Sequence, residues 1–111
     1  MTRVHPEARV YIGSRWEFHG TLFEVNGAKM NLTTKTLEWA LLDKLRVPKL
    51  NEPGDVTITK LDAVNGQISI VVPKARNVDL PPGRYTDYLR VNGEDILWTG
   101  QIVAESSPFT D

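Results

Sequence analysis

Cysteine is absent from all 111 residues, which removes disulfides, thiolate metal ligands and cysteine nucleophiles together. Histidine is nearly absent. His5 and His19 stand apart, outside any HxH or HxxxH spacing, so no local histidine metal site is encoded. Neither sign of charge is in surplus: 13 Lys and Arg face 14 Asp and Glu, a net charge of −1. The densest basic stretch, Lys44 to Lys49, holds three basic residues and reads as a solvated strand end. That balance lacks the basic footprint of a nucleic-acid binder. No apolar run approaches the roughly 18 residues of a membrane span, and Met1 to Pro6 has no apolar signal-peptide core. The expectation is a soluble protein that binds neither nucleic acid nor membrane and carries no signal peptide.

What is present is alternation. Period-2 patterning recurs along the chain while helical periodicity barely appears. Arg9 to Ile12 reads as a short strand closed by Gly13, and Arg15 to Val25 as a longer one ending at Asn26-Gly27, with a brief return over Lys29 to Leu32. Thr36 to Leu42 places Leu37, Trp39 and Leu41 on one face. Leu37, Leu41 and Leu45 also fall at helical spacing, but Thr33, Thr34 and Thr36 favour the strand. Pro48, Pro53 and Gly54 mark a loop. Val56 to Leu61 and Gln67 to Val72 flank an Asn65-Gly66 turn, and Pro73 closes the second of them.

The most informative passage is Leu80-Pro81-Pro82-Gly83-Arg84-Tyr85, followed by alternation to Val91 and then Asn92-Gly93. Asn-Gly supplies the two positive φ angles of a type I′ hairpin turn, and a final strand runs from Glu94 to Ala104. Gly83-Arg84-Tyr85 has the spacing of a corner in which a Tyr hydroxyl bonds back to upstream backbone. About seven short strands with turn signals near every ten residues describe an all-β sandwich or barrel in one domain. Residues 9–104 form that domain, with 1–8 a loose lead-in and 105–111 a loose tail. The expected core is Trp16, Phe18, Leu22, Leu37, Trp39, Leu41, Val56, Ile58, Ile68, Ile70, Tyr85, Leu89, Val91, Ile96, Trp98 and Ile102.

No motif for catalysis emerges. Glu38/Asp43 and Glu94/Asp95 are ordinary solvent-facing carboxylates rather than a converging acid–base pair. Asp62 to Gly66 lacks the ligand spacing of an EF-hand loop. The serines have no Gly-x-Ser-x-Gly context, and no phosphate loop occurs. His19 is out of phase with Trp16 and Phe18 and faces solvent; His5 belongs to the loose start. The reading is therefore a non-enzyme with no cofactor, no metal and no catalytic residue. One ligand hypothesis survives: a carbohydrate-binding site in which Trp16 and Trp98 stack on sugar rings. Its rival places both rings in the core. Edge strands at Arg9 to Ile12 and Lys29 to Leu32 offer a second mode, pairing with a partner strand.

Several of these motifs together form a familiar order. Gly13-Ser14-Arg15-Trp16, Asn31-Leu32-Thr33, Leu37-Glu38-Trp39-Ala40-Leu41, Gly66-Gln67-Ile68, Leu80 to Tyr85 and Ile96 to Ile102 resemble the small immunoglobulin-like modules of tailed-phage and prophage structural proteins, similar to the N-terminal domain of baseplate upper proteins. The resemblance spans residues 13–104. It implies an immunoglobulin-like antiparallel β-sandwich of about seven strands and a non-enzymatic structural or assembly role. It also implies other structural proteins or self-association as partners, and a place in the bacterial cytoplasm or on the virion. Three positions depart from the pattern: Ser14 and Thr34 stand where an acidic residue and a glycine are usual, and Asp87 takes an inward-parity position where such strands carry an apolar side chain.

Overall fold

Strands whose alternate side chains are apolar bury one face and leave the other to solvent, and two such sheets face each other here. The computed structural model describes residues 3–50, 54–91 and 96–108. In chain order the elements are β1 (Arg3–Val4), β2 (Ala8–Ile12), β3 (Trp16–Thr21), β4 (Leu37–Asp43), β5 (Pro48–Leu50), β6 (Thr57–Asp62), β7 (Gln67–Val72), α1 (Lys74–Asn77), β8 (Gly83–Val91) and β9 (Ile96–Ser106). One sheet has the order β1-β9-β8-β4-β5, with β2 also on β9. The other is β3-β7-β6. Pairing is antiparallel except where β1 and β2 run parallel to β9. With Trp39 in the centre of β4 and the Tyr85 hydroxyl donating to the Pro81 carbonyl, this is an immunoglobulin-like β-sandwich. Among the described residues no helix is long and apolar enough to cross a membrane.

The inward rows follow from register. Across β4, β8 and β9 they read Trp39–Leu89–Trp98, Leu41–Asp87–Gly100 and Asp43–Tyr85–Ile102. Phe18, Ile70 and Ile58 form the matching row of the smaller sheet. Leu41, Ile68, Ile70 and Leu89 are fully buried, each contributing about 1.5–3 kcal/mol by transfer from water. The core also takes Met30, Leu32 and Leu50, which period-2 reasoning passed over because two sit in a loop and one on a three-residue strand. Lys29 to Leu32 is not a sheet edge: it forms an isolated bridge, Lys29 to Phe23, outside the strands, and the Met30 and Leu32 amides donate to the Leu22 and Ala63 carbonyls.

Ile96 is a correction. Strict alternation from Trp98 and Ile102 places it in the core, but the β8–β9 register shifts between Leu89 and Arg90, pairing Leu89 with Trp98 and Arg90 with Ile96. The extra residue, Leu97, flips the parity, and Ile96 is exposed beside Arg90. A second correction concerns the ends. Within residues 1–8, expected to be loose, Arg3, Val4 and Ala8 pair with β9 and the His5 amide bonds to it, and that strand continues to Ser106. The expected Asn92-Gly93 turn, Pro53, the Glu94/Asp95 pair and residues 109–111 lie outside the described residues.

Asn77 was also unmarked in sequence. It ends α1 fully buried, accepts from the Gly13 amide at 2.8 Å and donates to the Ser14 carbonyl at 2.7 Å. Its side chain thus supplies backbone partners to the β2–β3 turn. Tyr85 anchors the opposite corner. Burial raises its phenol pKa, with the nearby Asp43 carboxylate adding to the shift. Because the folded state favours the neutral phenol, this contribution is complete below the unfolded value of about 10 and is lost as pH rises above it. Urea titrations from neutral to alkaline pH are expected to show that loss. Tyr85→Phe should be less stable by about 1 kcal/mol at neutral pH and show a flatter alkaline decline; an unchanged slope contradicts the assignment.

Candidate functional site

Position 87 lies two residues beyond the corner tyrosine, where antibody-type domains place the second cysteine of their inter-sheet disulfide. Here it is aspartate. Alternation from Tyr85 through Leu89 turns Asp87 inward, and it is 2% exposed. A carboxylate there must be supplied with donors, and β4 and the segment between β1 and β2 supply them, while β9 bonds its backbone carbonyl. Trp39 Nε1 donates to Oδ2 at 3.0 Å. His5 Nε2 lies 2.5 Å from Oδ1, and Thr99 Oγ1 donates to the Asp87 carbonyl at 2.8 Å.

Gly100 makes room for the imidazole. It is the β9 partner of Asp87, and a Cβ there would fall 2.2 Å from the His5 ring. The segment carrying His5 is fixed by its amide, which donates to the Thr99 carbonyl at 2.9 Å, and by edge-on contact with Trp98 at 6.0 Å between ring centroids. His5 therefore belongs to the packed structure, contrary to its expected place in a loose start. The sequence signal was Asp87: an inward carboxylate requires a donor, and the chain has only two histidines.

Beside this group opens a cleft of about 330 Å³. Residues His5, Pro6 and Ala8 form one side, Glu17, Phe18 and His19 of β3 another, with Asp87 and Trp98 between them. Its charged and histidine side chains are occupied with each other or with neighbouring groups. Glu17 accepts from His19 at 2.7 Å and pairs with Arg15 at 2.7 Å. The His19 hydrogen bond, then Arg15, holds the Glu17 carboxyl below the usual carboxylate range. His19 is solvent-facing, as its parity implies. Trp98 Nε1 is buried with no hydrogen-bond partner among the described residues.

The two tryptophans proposed for sugar stacking are not brought together. Trp16 is 2% exposed and donates to the Tyr11 carbonyl at 2.9 Å, so it serves the core and is withdrawn as a platform. Trp98 is half-buried, on the other sheet, with its ring against Gly20, where a Cβ would lie 2.2 Å away. Neither Glu38 nor Asp43 converges on a cleft partner: Glu38 pairs with Arg90, and Asp43 accepts from the Leu45 and Val47 amides of its own turn. Asp62 binds Asn65 within the expected turn. A second hollow, about 320 Å³, lies at the Tyr85 corner beside Lys44, Lys49 and Arg84. Lys49 faces Asp43 there, and Arg84 pairs with Glu7. Among the described residues no three His, Cys, Asp or Glu side chains are grouped to hold a metal ion.

No protein-family model matches the chain, and no curated protein matches it. Among solved structures it is similar to bovine butyrophilin, at 14% identity and a TM-score of 0.49, over 93% of this chain and 52% of that one. It is also similar to a chain of the titin M10–obscurin-like 1 Ig complex, at 15% identity and a TM-score of 0.45, over 93% and 89%. The chain thus spans about half the length of the butyrophilin chain. The sandwich class follows from strand order, register, Trp39 and the Tyr85 corner, not from these likenesses.

Proposed function

We propose that the chain is a non-enzymatic structural or assembly module of tailed-phage type, acting through protein–protein contact at an open sheet edge. The observation that supports this is β6. Among the described residues it pairs with β7 on one side only, and its outward side chains Thr57 and Thr59 are uncharged and exposed. Lys60 is not placed to guard the edge, because its ammonium donates to the Lys35 carbonyl. The other edges carry the usual protections. The three-residue β5 has Pro48 and Lys49, β3 carries Glu17 and His19, and β2 carries Arg9 bound to Glu105 at 2.5 Å. A partner strand therefore meets the least resistance at β6.

The titratable groups of the cleft favour binding or structure over catalysis, since His5 is matched with Asp87 and His19 with Glu17 rather than left to act on a substrate. The phage assignment rests on the sequence motifs of residues 13–104. The test is sedimentation of the chain alone and with tail and baseplate proteins encoded beside it. Association is expected, weakened at least tenfold or so by Thr57→Lys with Thr59→Lys, while stability changes by no more than about 0.5 kcal/mol. Absence of association in both settings, or association indifferent to the two lysines, sinks the proposal.

A further inference from the structure

The His5 ring has acceptors at both nitrogens. Nε2 lies 2.5 Å from Asp87 Oδ1 and Nδ1 lies 2.7 Å from the Pro6 carbonyl. A carbonyl cannot donate, and a neutral imidazole has one N–H. A neutral ring beside an ionised Asp87 would set a lone pair against a lone pair at one of these contacts. The His5–Asp87 pair is satisfied only when it holds one proton more than that, whichever of the two carries it.

What this proton secures is a short piece of chain. β1 contributes two residues, Arg3 and Val4, paired with Trp98 and Thr99, and the His5 amide adds one bond to Thr99. Pro6 then interrupts the pairing before β2 begins at Ala8. Isolated two-residue pairings are weak, so between Val4 and Ala8 the segment is held by the buried contact of His5 with Asp87 and by the exposed Glu7–Arg84 ion pair. The slot is built for it: Gly100 lacks the Cβ that would overlap the ring, and Asp87 lies at its base, buried and already bound on its other oxygen by Trp39.

We propose that residues 3–6 form a proton-dependent latch over the cleft side of the sandwich, closed when the His5–Asp87 pair holds its extra proton and released when that proton is lost. The groups facing His5 are Asp87 from β8, Glu17 and His19 across the cleft on β3, and the Trp98 ring from β9. Arg3, two residues back, stacks on Phe23 at 4.7 Å. Glu17 is engaged by His19 and Arg15, which hold its carboxyl below the usual carboxylate range. Proton loss leaves one N–H for two acceptors, the Asp87 carboxylate and the Pro6 carbonyl, so one contact is lost and the latch, closed in acid, opens as pH rises.

Amide hydrogen exchange at residue 5 reads the latch directly, since that amide is bonded only while the segment lies on β9. In the intact chain, protection corrected for intrinsic exchange is expected to fall roughly tenfold or more between about pH 5 and about pH 8. His5→Gln should abolish the pH dependence, and His19→Gln should leave it in place. Gly100→Ala, which changes no charge, should remove protection at both pH values while β7 and β8 amides stay protected. Flat protection in the unaltered chain overturns the proposal. So does a pH dependence that survives His5→Gln or disappears with His19→Gln.

Discussion

Asp87→Ala is expected to lower the unfolding free energy by about 3 kcal/mol, a Tm loss of roughly 15 °C for a domain of this size. Three costs combine. Trp39 Nε1, whose ring is 4% exposed, loses its acceptor at 3.0 Å and no water replaces it without opening the core. The imidazole in the Gly100 slot loses its partner. A cavity remains between Leu41 and Gly100, the neighbours of Asp87 across both strands. His5→Ala is expected to cost clearly less, because the His5 side chain is 22% exposed and water can reach the carboxylate it leaves. Asp87→Asn separates charge from hydrogen bonding: it keeps an acceptor for Trp39 and should lose about half as much as alanine. Urea unfolding of the three variants checks the order. A loss below about 1 kcal/mol for Asp87→Ala would show that the carboxylate is incidental to the core.

Gly66→Ala is expected to be comparably damaging, at about 3 kcal/mol, although it adds one methyl group to a turn. Gly66 has φ +72, and a Cβ there would lie 2.5 Å from the Leu22 carbonyl oxygen and 2.9 Å from that of Met30. Both obstacles are backbone, so no rotamer change relieves them. The Leu22 amide also donates to the Gly66 carbonyl at 2.9 Å, and the Met30 amide to the Leu22 carbonyl at 2.9 Å. Moving the turn therefore pulls on the segment that delivers Leu22, Met30 and Leu32 to the core. Gly27→Ala is the matched control: its φ is also positive, +90, but the space around it is open. It should cost about 1 kcal/mol from backbone strain alone. Equal losses at the two glycines would mean that strain, not the close approach, governs Gly66.

Much of the architecture was legible because each strand carries its own pattern. Gln67 to Val72 matches its expected bounds, and Leu37–Asp43 and Thr57–Asp62 fall within a residue of theirs. Alternation is a property of consecutive residues and needs no tertiary information. The same holds for the Tyr85 corner, whose hydroxyl reaches a carbonyl four residues upstream. Parity even identified Asp87 as the one inward side chain out of character. What failed was whatever depends on a partner strand. Ile96 turned outward because of a register shift against β8. Leu50 is buried because β5 pairs with β4, although Pro48 reads as a loop.

The candidate site divides along the same line. Local patterning determined that a carboxylate would face the interior, that no cysteine would bridge the sheets, and that the chain would fold as a disulfide-free sandwich. Only the tertiary structure decided which group meets that carboxylate. His5 and Asp87 are 82 residues apart in sequence, and nothing in the local pattern of either specifies the other. They meet because the N-terminal segment lies parallel along β9, and because Gly100 leaves a gap where any other residue would place a Cβ. Local stereochemistry fixes which way a side chain points; the packing of distant strands fixes what it finds there.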